Sequence, residues 1–464
     1  MSESRGQWGS KFGFILAATG SAIGLGNLWK FPYITYENNG GAFVLVYIAC
    51  VVLVGAPIMM AEILIGRKTQ LNPVGAFGKM AEGKPGGRMW RGVGFLGVVS
   101  GFVILSYYSV VAGWTIHYTG LAITGKLTTL AASPEVLGAY FGNEFLANGS
   151  SQILYHVLFM GLTVGAVFLG VKDGIERVAK ILLPTLFLIL LGLVVYSTTT
   201  SGFGEAMRFL FVPDFSTLTM NSVLEALGHA FFTLSLGMGA MLTYGSYIGR
   251  NFSLPKAALQ ISAFDTLIAL MACVVMFSII NTADIEVSKS ATILFTTIPT
   301  VLAKLPAASL VNALFYLLIG FAALTSTISL LEVVSSYAID ELGWSRHRAT
   351  LTMGGAITIF GVCNALSLGG NEFMSNFNPL GKASTVGIFS TMDYLASNWM
   401  LPVGGFLIAI FTGWLLSPKL TRTELEDGHG LMKSFTGWLF LIRFVAPLAV
   451  GAIIVSVILG KEYQ

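Results

Sequence analysis

Two short stretches place glycine, hydroxyl and amide groups inside apolar runs long enough to cross a membrane. GSAIGLGN, Gly20 to Asn27, lies in an apolar segment from about Phe12 to Ala49, and Ser235-Leu236-Gly237-Met238-Gly239 interrupts another from Val223 to Tyr247. In lipid every backbone polar group must be satisfied internally, so such a break survives only where it lines a cavity or binds something. A broken helix offers free carbonyls to cations, and a half-helix N-terminus offers amides and a positive dipole end to an anion. Gly24 and Gly26 have no side chain to obstruct that approach. Asp265, in a third apolar run, adds a carboxylate that is costly there unless a cation offsets it. One break alone also fits a kinked packing helix; two matching breaks are the pattern of a secondary transporter's binding site.

Those residues need a membrane scaffold, and the composition supplies one. Of 464 residues 55% are hydrophobic and 11% charged, against about 25% charged in soluble domains. The net charge of +3 comes from basic residues in alternate loops, which reads as topology rather than nucleic-acid binding. Cys50, Cys273 and Cys363 lie in apolar runs without metal-ligand spacing, so no disulfide is implied. The polar start runs directly into the first span, and no cleavable signal is expected.

Counting runs of about 20 apolar residues gives eleven spans, near 12–37, 41–66, 89–124, 151–170, 175–198, 221–248, 256–282, 309–340, 347–367, 391–417 and 432–460. The expectation is a single transmembrane domain over 1–464. Arg67, Lys68, Lys79, Lys84, Arg88 and Arg91 crowd one loop, whereas Gly125 to Ser150 holds only Lys126. The positive-inside rule then puts the N-terminus inside and the C-terminus outside. The breaks fall in the first and sixth spans, as expected of an inverted repeat: 1–200, then 201–418, with the last helix in 419–464.

Arg5 and Trp8, GSAIGLGNLWKFPY from Gly20 to Tyr33, Tyr107-Tyr108, FFTLSLGMG from Phe231 to Gly239 and ALTSTISL from Ala323 to Leu330 together resemble the neurotransmitter:sodium symporter family of the LeuT type. The similarity runs through the first ten spans with matching spacings, and the eleven-span count is similar to that of bacterial amino-acid transporters in the family. The resemblance implies an all-α membrane fold of 5+5 inverted repeats with unwound first and sixth helices. It also implies two sodium ions. One would be bound by the Ala22 carbonyl, Asn27, Thr233, Asp265 and the substrate carboxylate; the other by carbonyls of Gly20, Ile23 and Ala322 with the Thr325 and Ser326 hydroxyls. Both sets are all oxygen, as a hard cation requires. Without the resemblance, Thr325 and Ser326 read as helix hydroxyls bonded to their own backbone.

Further implications concern the substrate. Gly24 stands where amine-transporting members carry aspartate, which favours an α-amino acid whose own carboxylate takes that space. Tyr108 would donate to the carboxylate, and carbonyls near Phe231, Thr233 and Ser326 would receive the ammonium; Ser21, Ala22 and Gly26 border the same site. Ser21 replaces the family's common asparagine. The side-chain pocket would be Leu25, Ile104, Phe232, Ser235, Met238 and Leu330, without formal charge, and Met238 is adaptable. That suits neutral hydrophobic L-amino acids, aromatic ones included. Asp265 would supply negative charge that many members take from chloride or from a glutamate one turn later, here Ala269, so transport is expected to be chloride-independent.

Lys30 and Asp393 would form the outer gate with Phe232 as lid, and Arg5 with Asp340, beside Trp8, Ser246 and Tyr247, the inner one. Exposed pairs are worth only about 0–1 kcal/mol, which suits gates that open. Glu62 and Glu332 would serve internal networks, His229 would be a hydrogen-bonded core histidine, and Glu225 and Arg443 gain no role. No nucleophile elbow, phosphate loop or Cys/His cluster argues for an enzyme. The expectation is a sodium-coupled, alternating-access symporter in the cell inner (plasma) membrane, with no obligatory protein partner. The rivals are a proton-coupled permease of the same fold and a non-translocating amino-acid sensor.

Overall fold

The computed structural model describes residues 6–250, 252–283, 294–304, 306–426 and 434–462. Every regular element among them is helical. The first span is split into α1 (Lys11–Ala22) and α2 (Gly26–Glu37), bent by 55°. Then come α3 (Gly41–Thr69), α4 (Gly87–Ile123), α5 (Gly149–Phe168) and α6 (Val171–Ser197). The sixth span is also split, into α7 (Met220–Thr233) and α8 (Ala240–Gly245). α9 (Leu254–Thr282), α10 (Ala308–Leu342), α11 (Arg346–Leu366), α12 (Ile388–Leu415) and α13 (Phe435–Ile458) complete the bundle. Nine of the described helices are long and apolar enough to span a membrane, ten with the bent pair.

Burial separates a central shaft from a lipid-facing shell. The apolar windows of α4 and α10 are each 72% buried and pack extensively on one another, whereas that of α6 is only 28% buried. The breaks therefore lie against the two most enclosed helices.

Local chemistry sets the broken ends. The Ser10 side chain caps α1 by accepting the Gly13 N–H, and the Glu176 carboxylate of α6 accepts the Gly9 N–H at 2.6 Å and the Ser10 hydroxyl at 2.8 Å. A carboxylate suits a helix N-terminus, where amides lack partners. α7 opens on a Thr219/Ser222 capping box.

The first break is shorter than the glycine pattern suggests. Gly20, Ser21 and Ala22 are still helical, and the chain leaves the helix at Ile23, φ −72° and ψ 106°. Gly20 is explained by contact instead, since a Cβ there would lie 3.0 Å from the Thr325 Cβ. In the second break Ser235, Gly237 and Gly239 all have positive φ, 53°, 80° and 76°. Gly237 is doubly required, because a Cβ would come 2.4 Å from the Leu401 carbonyl oxygen.

Candidate functional site

At the first break the polar groups are shared out unevenly. The Gly24 N–H donates to Asn27 Oδ1 at 3.0 Å and the Leu25 N–H to Tyr108 Oη at 2.8 Å. The Ser21 carbonyl accepts from Ser235 Oγ at 2.8 Å and from Ser326 Oγ at 3.3 Å. No hydrogen bond among the described residues reaches the Gly20 or Ala22 carbonyl. Orphan buried carbonyls are rare, so these two are placed to meet something other than protein.

Around them two oxygen-rich clusters form. In one, Asp265 Oδ1 accepts from Asn27 Nδ2 at 2.7 Å and from Thr233 Oγ1 at 2.9 Å, and Oδ2 accepts from Tyr47 Oη at 3.2 Å. Asp265 is fully buried. In the other, Ser326 Oγ donates to the Ile23 carbonyl at 3.2 Å and to that of Ala322 at 3.3 Å, while Thr325 Oγ1 donates to Ala322 at 2.9 Å. Thr325 also faces Gly20. The structure thus brings together the residues of each expected ion set, and their donor chemistry, carbonyl, hydroxyl, amide and carboxylate oxygen, fits a hard monovalent cation. The described residues hold no group of three His, Cys, Asp or Glu side chains such as a transition metal would need.

Between the clusters lies a chamber of about 30 Å³. Ser21, Ala22, Gly24, Gly26 and Asn27 line it from the first break, and Phe232, Thr233, Ser235 and Met238 from the second. Ile104 and Tyr108 of α4 and Ser326, Ser329 and Leu330 of α10 close it. The Phe232 ring also lines a second cavity, of about 270 Å³ and on the side expected to be the outer one, that holds Lys30 and Asp393.

Several expectations are corrected. Leu25 lines the outer cavity rather than the central chamber. The Phe231 side chain points away against α12, where a Cβ on Gly405 would lie 2.1 Å from its ring, and its carbonyl already accepts the Leu236 N–H. Phe231 and Phe232 are consecutive in α7, so their side chains point about 100° apart and only Phe232 faces the chamber. Lys30 and Asp393 form no ion pair; the Lys30 ammonium sits over the Phe232 ring at 5.0 Å instead. His229 is buried on Phe31, ring centroids 5.3 Å apart, and neither ring nitrogen has a partner among the described residues.

On the opposite side the bundle is sealed. The Trp8 indole N–H donates to the Tyr244 carbonyl at 3.0 Å, and its ring packs edge-on to Phe14, Tyr244 and Tyr247. Tyr247 donates to Glu332, which Arg346 grips with both terminal nitrogens at 2.8 and 2.9 Å. Asp340 accepts the Asn72 N–H at 2.7 Å, and Ser246 Oγ donates to the Thr243 carbonyl. Arg5 lies outside the described residues.

Other acidic and basic residues gain roles that their spacing did not give. Glu62 accepts the Gly237 N–H at 2.8 Å and so holds the second break. Glu225 accepts from Asn38 at 2.7 Å, and Arg443 donates to the Gly413 carbonyl of α12. Arg346 and Ser329 are the site residues that sequence reasoning missed. Ser329 was signalled only by its spacing, one turn from Ser326 within ALTSTISL.

Two broken membrane helices meeting over oxygen clusters, with a chamber sealed on one side, define a secondary transporter. The chain belongs to the Sodium:neurotransmitter symporter family, whose pattern it matches over residues 5–136 and 142–462. It is 36% identical over 453 residues to the sodium-dependent transporter YhdH of Bacillus subtilis (strain 168), covering 97% of each chain. It is 30% identical to a sodium-dependent transporter of Haemophilus influenzae (strain ATCC 51907 / DSM 11121 / KW20 / Rd), covering 98% of each. Among solved structures it superposes on MhsT in complex with L-phenylalanine, TM-score 0.87 at 40% identity over 98% of this chain and 100% of that one. The protein is thus a multi-pass, sodium-dependent symporter with the LeuT-type all-α fold, and not an enzyme.

Proposed function

We propose that the protein couples sodium entry to uptake of neutral, hydrophobic L-amino acids, aromatic ones included, across the plasma (inner) membrane. The carrying observation is Tyr108. Its oxygen already accepts the Leu25 N–H, and no described hydrogen bond uses its own proton, which is left for a carboxylate beside Gly24. Ser326 and the Ala22 and Thr233 carbonyls take the ammonium. The remaining wall, Ile104, Met238 and Leu330, carries no charge.

Two sodium ions complete the site in this reading. The first sits with Ala22, Asn27, Thr233 and Asp265 and also touches the substrate carboxylate, so ion and substrate bind together. The second sits with Gly20, Ile23, Ala322, Thr325 and Ser326 and holds α1 to α10. Asp265 supplies the local negative charge, so chloride is not required. Loss of the second ion frees α1 from the Trp8 and Glu332 seal and opens the inner side, the N-terminus lying in the cytoplasm. The two halves, 1–200 and 201–418, rock about the chamber as inverted repeats, with 419–464 appended.

At about 30 Å³ the chamber has room for little more than a water molecule. An amino acid must therefore push Phe232 and Met238 outward, and the likeness to a structure holding L-phenylalanine supports a large substrate. The test is binding of labelled leucine, phenylalanine, tyrosine and tryptophan to purified protein in sodium and in potassium. Sodium-dependent binding of these and not of glutamate or lysine is expected. Equal binding in potassium would remove the ion assignments and favour proton coupling; binding without accumulation in proteoliposomes would favour a sensor.

A further inference from the structure

The chamber wall shared by α1, the second break and α10 is built from four serines, each at most 7% exposed, and all four have committed their protons. Ser21 Oγ donates to Ser329 Oγ at 2.7 Å, and Ser329 Oγ donates to the Ser326 carbonyl at 2.8 Å. Ser326 Oγ donates to backbone carbonyls, at 3.2 Å to Ile23, and Ser235 Oγ donates to the Ser21 carbonyl at 2.8 Å. A hydroxyl has one proton and two lone pairs, so this wall can offer a ligand only acceptors. Among the described residues Ser21 and Ser235 receive no hydrogen bond, and Ser329 receives one.

The acceptors exceed what an ammonium group needs. Ser326 lies beside Gly24 and Tyr108, where the amino-acid head would sit. Ser329 is three residues further along α10, about 4.5 Å of rise, and Ser21 is three residues before Gly24 in α1. The Ser21–Ser329 pair thus lies deeper than the head, on the Met238 side of the chamber and away from the Phe232 lid. Each of these hydroxyls keeps a lone pair to spare, so a ligand that brings a donor there gains a hydrogen bond that a ligand without one does not.

We propose that Ser21, Ser329 and Ser235 form a specificity-determining acceptor site for a polar hydrogen on an aromatic side chain, so that tyrosine binds in preference to phenylalanine. The inference rests on the amino-acid reading above and sharpens it. The phenol oxygen donates its proton to the serine pair while Ile104, Met238 and Leu330 hold the ring.

The test measures the affinities of phenylalanine and tyrosine in sodium for the wild type, Ser329→Ala and Ser21→Ala. A neutral hydrogen bond is worth about 0.5–1.5 kcal/mol, so the wild type should favour tyrosine by about two- to twelvefold. Either alanine variant should bring the ratio of tyrosine to phenylalanine affinity down to about one, whatever it does to both affinities together, and Ser329→Thr, which keeps the hydroxyl, should retain the ratio. Equal wild-type affinities, or parallel loss of both ligands in the variants with the ratio kept, would overturn the inference. Should a variant fail to fold, the wild-type ratio alone decides. If the wild type binds neither ligand in sodium, the amino-acid reading itself fails, an outcome distinct from binding both equally.

Discussion

Asp265 and Asn27 are joined through a 2.7 Å hydrogen bond from Asn27 Nδ2 to Asp265 Oδ1, across α9 and the start of α2. The same carboxylate oxygen takes the Thr233 hydroxyl of α7. One buried carboxylate therefore ties the two breaks together, while Asn27 turns its own oxygen toward the Gly24 amide.

Asp265→Asn should separate the charge from the shape. The variant keeps the volume and loses the anion that balances a cation, so sodium affinity should fall by at least about tenfold, on the order of a charge-assisted hydrogen bond. Sodium titration of substrate binding measures this, with thermal unfolding as the check on folding. Wild-type uptake should be unchanged when gluconate replaces chloride; abolished uptake would show that Asp265 does not supply the charge.

Gly24→Ala tests the carboxylate position. A Cβ there would lie 2.8 Å from Tyr108 Oη and 2.9 Å from Ser326 Oγ, both in the space assigned to the substrate head. Overpacking of this kind costs about 1–3 kcal/mol, and binding should fall by roughly ten- to a hundredfold. Tyr108→Phe should weaken binding without that steric cost. If both variants bind like wild type, the head group lies elsewhere.

Both breaks were legible because glycine and hydroxyl residues inside long apolar runs have no cheap alternative explanation. Their details were not. Gly20 reads as a helix breaker yet stays helical, because its small size serves Thr325 rather than the backbone. The resemblance put the Phe231 carbonyl beside the substrate ammonium, but that carbonyl already accepts the Leu236 N–H, and the Phe231 ring packs toward Gly405. Ser329 was hidden because a serine inside a helix usually bonds back to its own turn, and Ser329 does so with Ser326 while still accepting from Ser21. Lys30 and Asp393 show a further limit: complementary charges within reach do not specify a bond, and here the ammonium prefers an aromatic face.

That unpaired outer gate has a kinetic consequence. Lys30 and Asp393 line one cavity without an ion pair, so any attraction between them develops only as the outer side closes. Lys30→Ala should lower the uptake rate in proteoliposomes by several-fold while sodium-dependent binding at equilibrium changes little, because no ion pair is present to lose before the outer side closes. Lys30→Arg should restore transport. Binding that falls in step with uptake would place Lys30 in the substrate site instead of the gate.

The inner seal should respond differently, because its charges are enclosed. Glu332 is fully buried, and Arg346 retains only 20% side-chain exposure. Glu332→Gln leaves that guanidinium without its counter-charge and weakens the bond from Tyr247, whose neighbour Trp8 holds α1. Breaking a buried pair from one side costs about 3–5 kcal/mol, and the lower end applies where one partner still reaches solvent. The melting temperature should fall, and hydrogen exchange over α1 should rise more than over the C-terminal half of α4, where Tyr118 packs on Tyr316 at the far end of α10 from Glu332. Uniform acceleration across the bundle would mean that Glu332 stabilises the fold as a whole; exchange confined to α1 would identify it as the residue whose pairing keeps the inner side closed.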